Sequence, residues 1–232
     1  IDELVFLKSQ GRTCINFSDD TMTANVRRLN VVCDLLARLN LNIQWLCESR
    51  VDVMTAQILQ RMRSLGCSTI QFGVESGSQE VLDSIHKGIT IDQVEKAVKS
   101  AFESGYETII CSFMIGHPFD TEETVHRSIR FAMGLQSDYG VEVRFHVCTP
   151  YPGTSLFLNK EELGVHLVSH NYEDYNFFNP VMNLKHLTHL QVRNLYFEAI
   201  EQVLAHQVDR LLPCVTKLRT NEANRLFGCA GW

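Results

Sequence analysis

Polar residues able to do chemistry gather at the ends of five short apolar runs. The first run ends Phe17-Ser18-Asp19-Asp20, the second Glu48-Ser49-Arg50-Val51-Asp52, and the third Gly73-Val74-Glu75-Ser76-Gly77-Ser78. The fourth ends Gly116-His117-Pro118 and the fifth Thr149-Pro150-Tyr151-Pro152-Gly153-Thr154. If these ends converge, two or three carboxylates, one guanidinium, several hydroxyls and glycine-opened backbone share one basin. That set suits a zwitterionic, sugar-bearing ligand. Arginine grips a carboxylate through its planar fork. A carboxylate accepts two hydrogen bonds from ribose hydroxyls or several from an ammonium group, and glycines let a flat base approach the backbone.

Each position also has a plainer use. Asp19 and Asp20 could cap the helix that follows. Arg50 could pair with Asp52 or Glu48 as a structural ion pair. Ser78 is expected to cap a short helix over Gln79–His86. Glu75 is harder to dismiss, because a carboxylate flanking an apolar strand needs a partner if buried. His117 and His146 read as framework histidines. His186 and His189 have ligand spacing but no third partner nearby, and read as surface residues. No Ser-His-Asp or Cys-His arrangement follows from residue order.

The eight cysteines are Cys14, Cys33, Cys47, Cys67, Cys111, Cys148, Cys214 and Cys229. No two lie within ten residues of each other, so CxxC and every close-spaced metal or redox pattern is absent. Buried free thiols are expected instead, since free cysteine packs as a small hydrophobe.

The elements that must position these residues alternate. β-rich runs at Thr13–Ser18, Ile43–Cys47, Thr69–Val74, Thr108–Ile115 and Val141–Thr149 are separated by helical periodicity. Helices are expected over Thr23–Leu39 and over Thr55–Leu65, the latter stopped by Gly66. Further helices follow from Thr90 with Gln93 as a capping box and from Asp120 with Glu123 as another, running to about Leu135. Strands separated by whole helices must be parallel neighbours with right-handed crossovers. Without a GxGxxG loop, the pattern fits a partial (β/α) TIM-like barrel of the α/β class. Ile1–Gln10 reads as the tail of a helix, so at least one N-terminal strand is expected upstream. Residues 1–158 form the barrel part. Residues 159–232 form a loop-rich and helical C-terminal extension, in which Thr188 and Gln191 open a long helix that Pro213 is expected to end.

The bulk composition excludes some classes. A net charge of −6 argues against nucleic acid as the main partner. The longest apolar stretch, Ile109–Ile115, is interrupted by Ser112 and is too short for a membrane span. The acidic opening IDELVFLKSQGR lacks the positive charge of an export signal, so a cytoplasmic location is expected.

Five segments in order resemble the radical S-adenosylmethionine (SAM) core. They are INFSDDTMT (Ile15–Thr23), CESRVD (Cys47–Asp52), GVESGSQEVLDSIHKGIT (Gly73–Thr90), FMIGHPFDTEET (Phe113–Thr124) and TPYPGTSLF (Thr149–Phe157). The resemblance covers roughly residues 1 to 160. It is strongest to the subgroup that often carries an N-terminal cobalamin-binding domain, and looser to methylthiotransferases.

Carried over, the resemblance implies SAM contacts. Ser18, Asp19 and Asp20 occupy the loop that receives the SAM amino group, and Arg50 is the carboxylate partner. Glu75 and Ser76 match the ribose-contacting strand end, Ile115 and Gly116 face adenine, and Tyr151 with Pro152 closes the adenine slot. The implied chemistry is reductive cleavage of SAM by a [4Fe–4S] cluster to a deoxyadenosyl radical, with cobalamin as a further candidate cofactor. The implied partners are a small-molecule or peptide substrate and an electron donor such as a flavodoxin or ferredoxin. The family holds its cluster with CxxxCxxC, which this sequence lacks. Two readings follow: a fragment of a radical SAM enzyme, or a cluster-free barrel that binds SAM or another nucleoside. An ordinary barrel lyase or hydrolase is a third, with only Asp19, Asp20, Glu75 and His117 to build from.

Overall fold

Each of the five apolar runs is a strand. A computed structural model describes residues 1–19 and 21–227, with side chains through residue 208. Asp20 and Cys229 lie outside the described residues, as does the side chain of Cys214.

Strands β1 (Cys14–Phe17), β2 (Gln44–Ser49), β3 (Cys67–Glu75), β4 (Thr108–Ile115) and β5 (Glu142–Val147) form one sheet in chain order. All four pairings are parallel. The edges of β1 and β5 do not meet, so the barrel is partial, as the α/β alternation requires. A helix, α1 (Asp2–Ser9), precedes β1. Between the strands run α2 (Val26–Leu39), α3 (Ala56–Ser64), α4 (Gln79–Ser84), α5 (Ile91–Glu103) and α6 (Glu122–Tyr139).

Local chemistry sets these boundaries. Asn25 accepts from the Arg28 N–H at the start of α2, and Thr55 does the same for the Ile58 N–H at α3. Thr90 and Gln93 form the expected reciprocal box at α5. The box expected from Asp120 and Glu123 is instead made by Thr121 and Thr124, one residue along. Asp120 is drawn away because it closes the turn before the helix. Ser78 stands at the start of α4 without capping it, since its hydroxyl meets Arg127 Nη1 at 3.4 Å instead.

After β5 come α7 (Ser155–Leu158), a small antiparallel pair of β6 (His166–Leu167) and β7 (Met182–Asn183), and α8 (His189–Phe227). The small pair falls inside what the sequence pattern presents as loop. Thr188 and Gln191 do open α8, their side chains bonding each other's backbone N–H. Pro213 does not end it: the backbone stays helical to Phe227. Proline deletes one backbone donor but its fixed φ still suits a helix.

One face of the sheet is dry and the other is not. Along β3 the buried Ile70, Phe72 and Val74 alternate with the half-buried Gln71, Gly73 and Glu75. The same period of two runs through β5, where Val143, Phe145 and Val147 alternate with Glu142, Arg144 and His146. α3, α5, α6 and α8 pack against β3, β4 and β5. Each fully covered side chain such as Phe72 or Ile70 contributes about 1.5–3 kcal/mol by leaving water. Parallel sheets are normally covered on both faces. Here the second face mixes polar residues such as Gln71, Arg144 and His146 with the apolar Ile110 and Met114.

On that face Gln71 Nε2 donates to Glu48 at 3.3 Å, and Arg144 reaches Gln71 at 3.4 Å and Glu142 at 2.7 Å. The Glu48–Gln71–Arg144–Glu142 row floors a basin that opens at the strands' C-terminal ends.

Candidate functional site

The basin is built around the end of β3. The β3–β4 register shifts between Gly73 and Glu75, and Glu75 takes a left-handed φ of 71°. A non-glycine residue in that region is strained and is retained where the surroundings force it. What holds it is an ion pair: Lys87 Nζ lies 2.6 Å from Glu75 Oε1, with both side chains about one-fifth exposed. A Cβ at Gly73 would come within 3.1 Å of that carboxylate and 3.4 Å of the ammonium, so glycine clears the floor beneath the pair.

Lys87 arrives from the loop after α4, where His86 and Gly88 both adopt positive φ. Its carbonyl accepts from Arg50 Nη2 at 2.8 Å. Arg50 in turn holds Asp52 through Nε at 3.0 Å and Nη2 at 2.9 Å. The Asp52 hydrogen bond is the main reason the guanidinium is held even more firmly protonated than usual. The structural pairing anticipated for Arg50 is thus present, and Nη1 makes no hydrogen bond among the described residues. Lys87 was missed by the sequence reading, although it stands in the quoted Gly73–Thr90 segment.

Two expected contacts point elsewhere. Ile115 is fully buried on the helix-covered face of β4, so its neighbour Met114, half-buried on the open face, lines the basin instead. The period-two geometry of a strand decides this. Ser76 is 1% exposed, and its hydroxyl lies 2.9 Å from that of Ser128 and accepts from the Ser78 N–H. It braces the turn against α6 and is not free for a ribose.

Gly116 has a φ of 96°. Its N–H and that of His117 both donate to Asp120 Oδ2, at 3.0 and 2.8 Å, while Thr124 donates to Oδ1 at 2.8 Å. Burial raises the Asp120 pKa, and these bonds with nearby His117 oppose the rise. Asp120 is therefore a clasp for the β4 turn.

Ser18 and Asp19 are exposed beside β1, and Asp19 meets Arg28 only at 3.8 Å. Asp20, expected beside them, lies outside the described residues. Across the basin Tyr151 is half-buried and Pro152 exposed. The Tyr151 ring packs edge-on to Phe177 at 6.1 Å, and Phe177 packs on His146 at 5.5 Å. The aromatic segment reaches this place by pairing with the outer edge of β5, where the Val147 N–H donates to the Phe177 carbonyl at 2.7 Å.

Metal ligation fails on the side chains present. No group of three His, Cys, Asp or Glu among the described residues could hold a metal ion. Cys33, Cys47, Cys67, Cys111 and Cys148 are buried as expected, and among the described cysteines Cys14 alone is exposed, at the sheet edge. Burial pushes the thiols of Cys33, Cys67, Cys111 and Cys148 up, away from the thiolate form a cluster needs. A cleft of about 700 Å³ bordered by Lys8, Asn40 and Arg63 lies at the opposite, N-terminal end of β1 and β2, away from the strand-end carboxylates.

The Radical SAM superfamily model matches residues 1–132. The chain belongs to the radical SAM superfamily. It is 38% identical over 200 residues to an uncharacterized methyltransferase of Pyrococcus horikoshii, covering 86% of this chain and 42% of that protein. It is 26% identical over 185 residues to the anaerobic magnesium-protoporphyrin IX monomethyl ester cyclase of Rubrivivax gelatinosus, covering 78% and 32%. This radical SAM chain therefore spans less than half the length of either relative. Its fold matches that of the radical SAM methyltransferase TsrM from Kitasatospora setae, solved with cobalamin and a [4Fe–4S] cluster. That TM-score is 0.60 at 17% identity, over 73% of this chain and 33% of that one. Among the described residues no helix is long and apolar enough to cross a membrane.

Proposed function

We propose that this chain is the SAM-holding part of a radical SAM enzyme of the cobalamin-using methyltransferase kind. SAM would lie across the C-terminal ends of β2 to β5. The observation that carries the reading is the linked group Glu75–Lys87–Arg50–Asp52. It sets a carboxylate beside an ammonium and a guanidinium at one mouth, which complements a zwitterion bearing a diol. Glu75 would accept from the ribose hydroxyls, while Lys87 and the uncommitted Nη1 of Arg50 would face the SAM carboxylate. Met114 and Tyr151 supply apolar surface for the base. When bound, SAM brings an activated methyl group and, on reductive cleavage, radical chemistry at an unreactive carbon.

The described thiols do not fit a [4Fe–4S] cluster, so a cluster would take its ligands from outside the described residues. The same buried thiols favour a second reading, a SAM- or nucleoside-binding barrel without radical chemistry. Cobalamin enters the proposal through the TsrM likeness, and methyl transfer through the Pyrococcus relative. The proposed partners are a small-molecule or peptide substrate and a flavodoxin- or ferredoxin-like electron donor. A cytoplasmic setting suits five buried, unpaired cysteines.

The test is calorimetric titration of SAM into the native protein and its Glu75→Gln variant. Loss of a charged hydrogen-bond acceptor should weaken binding roughly tenfold or more. Equal affinity in the two proteins would remove Glu75 from the site.

A further inference from the structure

His146 is the one histidine on the open face of β5, two residues beyond Arg144 and opposite Met114. Its Nδ1 is enclosed by protein and has no hydrogen-bond partner among the described residues. Nε2 bonds to none of the described residues either, and it is the nitrogen that is not enclosed. A half-buried imidazole that packs on Phe177 yet bonds through neither nitrogen calls for an explanation. The framework role expected from sequence would have given the ring a partner.

The surroundings define what the ring can offer. Burial, with Arg144 behind it, lowers the His146 pKa, and the Glu75 carboxylate across the basin only partly opposes this. Glu142 and Gln71 hold Arg144, and Lys87 holds Glu75, so none of these charges is free to bond the ring. The imidazole is therefore neutral near pH 7. A buried N–H without an acceptor costs more than an idle lone pair, which places the single proton on Nε2. The ring thus presents one N–H donor to the basin. Beside it stands an apolar corner: the Phe177 ring, about half exposed, with the Tyr151 ring edge-on to it at 67°. Arg144 adds positive potential below and disfavours a cation.

We propose that His146 is a specificity residue, donating from Nε2 to a carbonyl or carboxylate oxygen of a planar conjugated substrate that lies against the exposed Phe177 ring, with Tyr151 bordering it. This rests on the radical SAM reading only in taking the open face as the substrate side. Aromatic rings supply area and orientation, and the lone donor fixes which edge of the substrate points inward.

The experiment uses the native protein and two fluorescent probes of one shape, 2-acetylnaphthalene and 2-isopropenylnaphthalene, which differ in carrying or lacking the acceptor oxygen. The wild type should bind the ketone about tenfold more tightly than the alkene, the scale of one hydrogen bond that replaces an unmade one. His146→Leu should erase that preference, and His146→Gln, which keeps a donor, should restore part of it. Equal binding of the probes, binding of neither, or a preference that survives in a folded His146→Leu protein overturns the proposal. SAM titration on the same samples separates the two readings. Intact SAM binding without probe preference sinks this inference alone, and loss of SAM binding sinks the functional reading.

Discussion

The Lys87 ammonium lies 2.6 Å from Glu75 Oε1 while the Lys87 carbonyl holds Arg50. One loop residue thus ties together the two charged strand ends on which the proposed SAM site depends. Replacing it with Met would leave a one-fifth-exposed carboxylate without its counter-charge. Lys87→Met should weaken SAM binding roughly tenfold, the scale of a charge-assisted hydrogen bond. Calorimetry on the native protein checks this, and unchanged affinity would reduce Lys87 to a surface residue.

Glu75 holds a φ of 71° that glycine adopts freely and alanine does not. Glu75→Gly should therefore be more stable than Glu75→Ala by about 1 kcal/mol, although both lose SAM affinity. Urea denaturation of the two variants gives the comparison, and an inverted order would mean the strain is absent.

Ser128 accepts from the Gly77 N–H at 2.9 Å inside the protein and shares a hydrogen bond with Ser76. Ser128→Ala orphans that N–H and should cost about 1–3 kcal/mol. Ser76→Ala should likewise lower the melting temperature and leave SAM affinity unchanged, which is the opposite of what a ribose contact would do.

Strands and most helix starts were legible because they depend on local rules. The Thr90–Gln93 and Thr188–Gln191 pairs read directly from spacing. What failed depended on three-dimensional competition. Asp120 looks like a cap until the two N–H groups of the β4 turn claim it, which moves the cap to Thr121. Ile115 looks like a lining residue because the apolar strand ends there, yet register sends Met114 into the basin. Lys87 lay in plain sight within HKG. Only the paired positive φ values at His86 and Gly88, which no periodicity reports, fold it back over β3.

Thiol burial predicts a pH dependence. Burial pushes Cys148 from the ordinary 9.0 up to about 12. The folded state thus keeps a proton that the unfolded chain loses. Stability from this thiol is fully present below pH 9 and falls as pH rises towards 12, by about 1.4 kcal/mol per unit for one group. Urea midpoints of wild type and Cys148→Ala across that range should converge as pH rises. Parallel curves would show that the thiol titrates normally.

The most direct test of the SAM-enzyme account is anaerobic turnover by the longest native form of the protein, reconstituted with iron and sulfide and supplied with SAM and a strong reductant. Mass spectrometry should find deoxyadenosine or S-adenosylhomocysteine, with an excess of the latter marking methyl transfer, and Glu75→Ala should abolish the product. Intact SAM after reconstitution, or product formation indifferent to Glu75, would contradict the account.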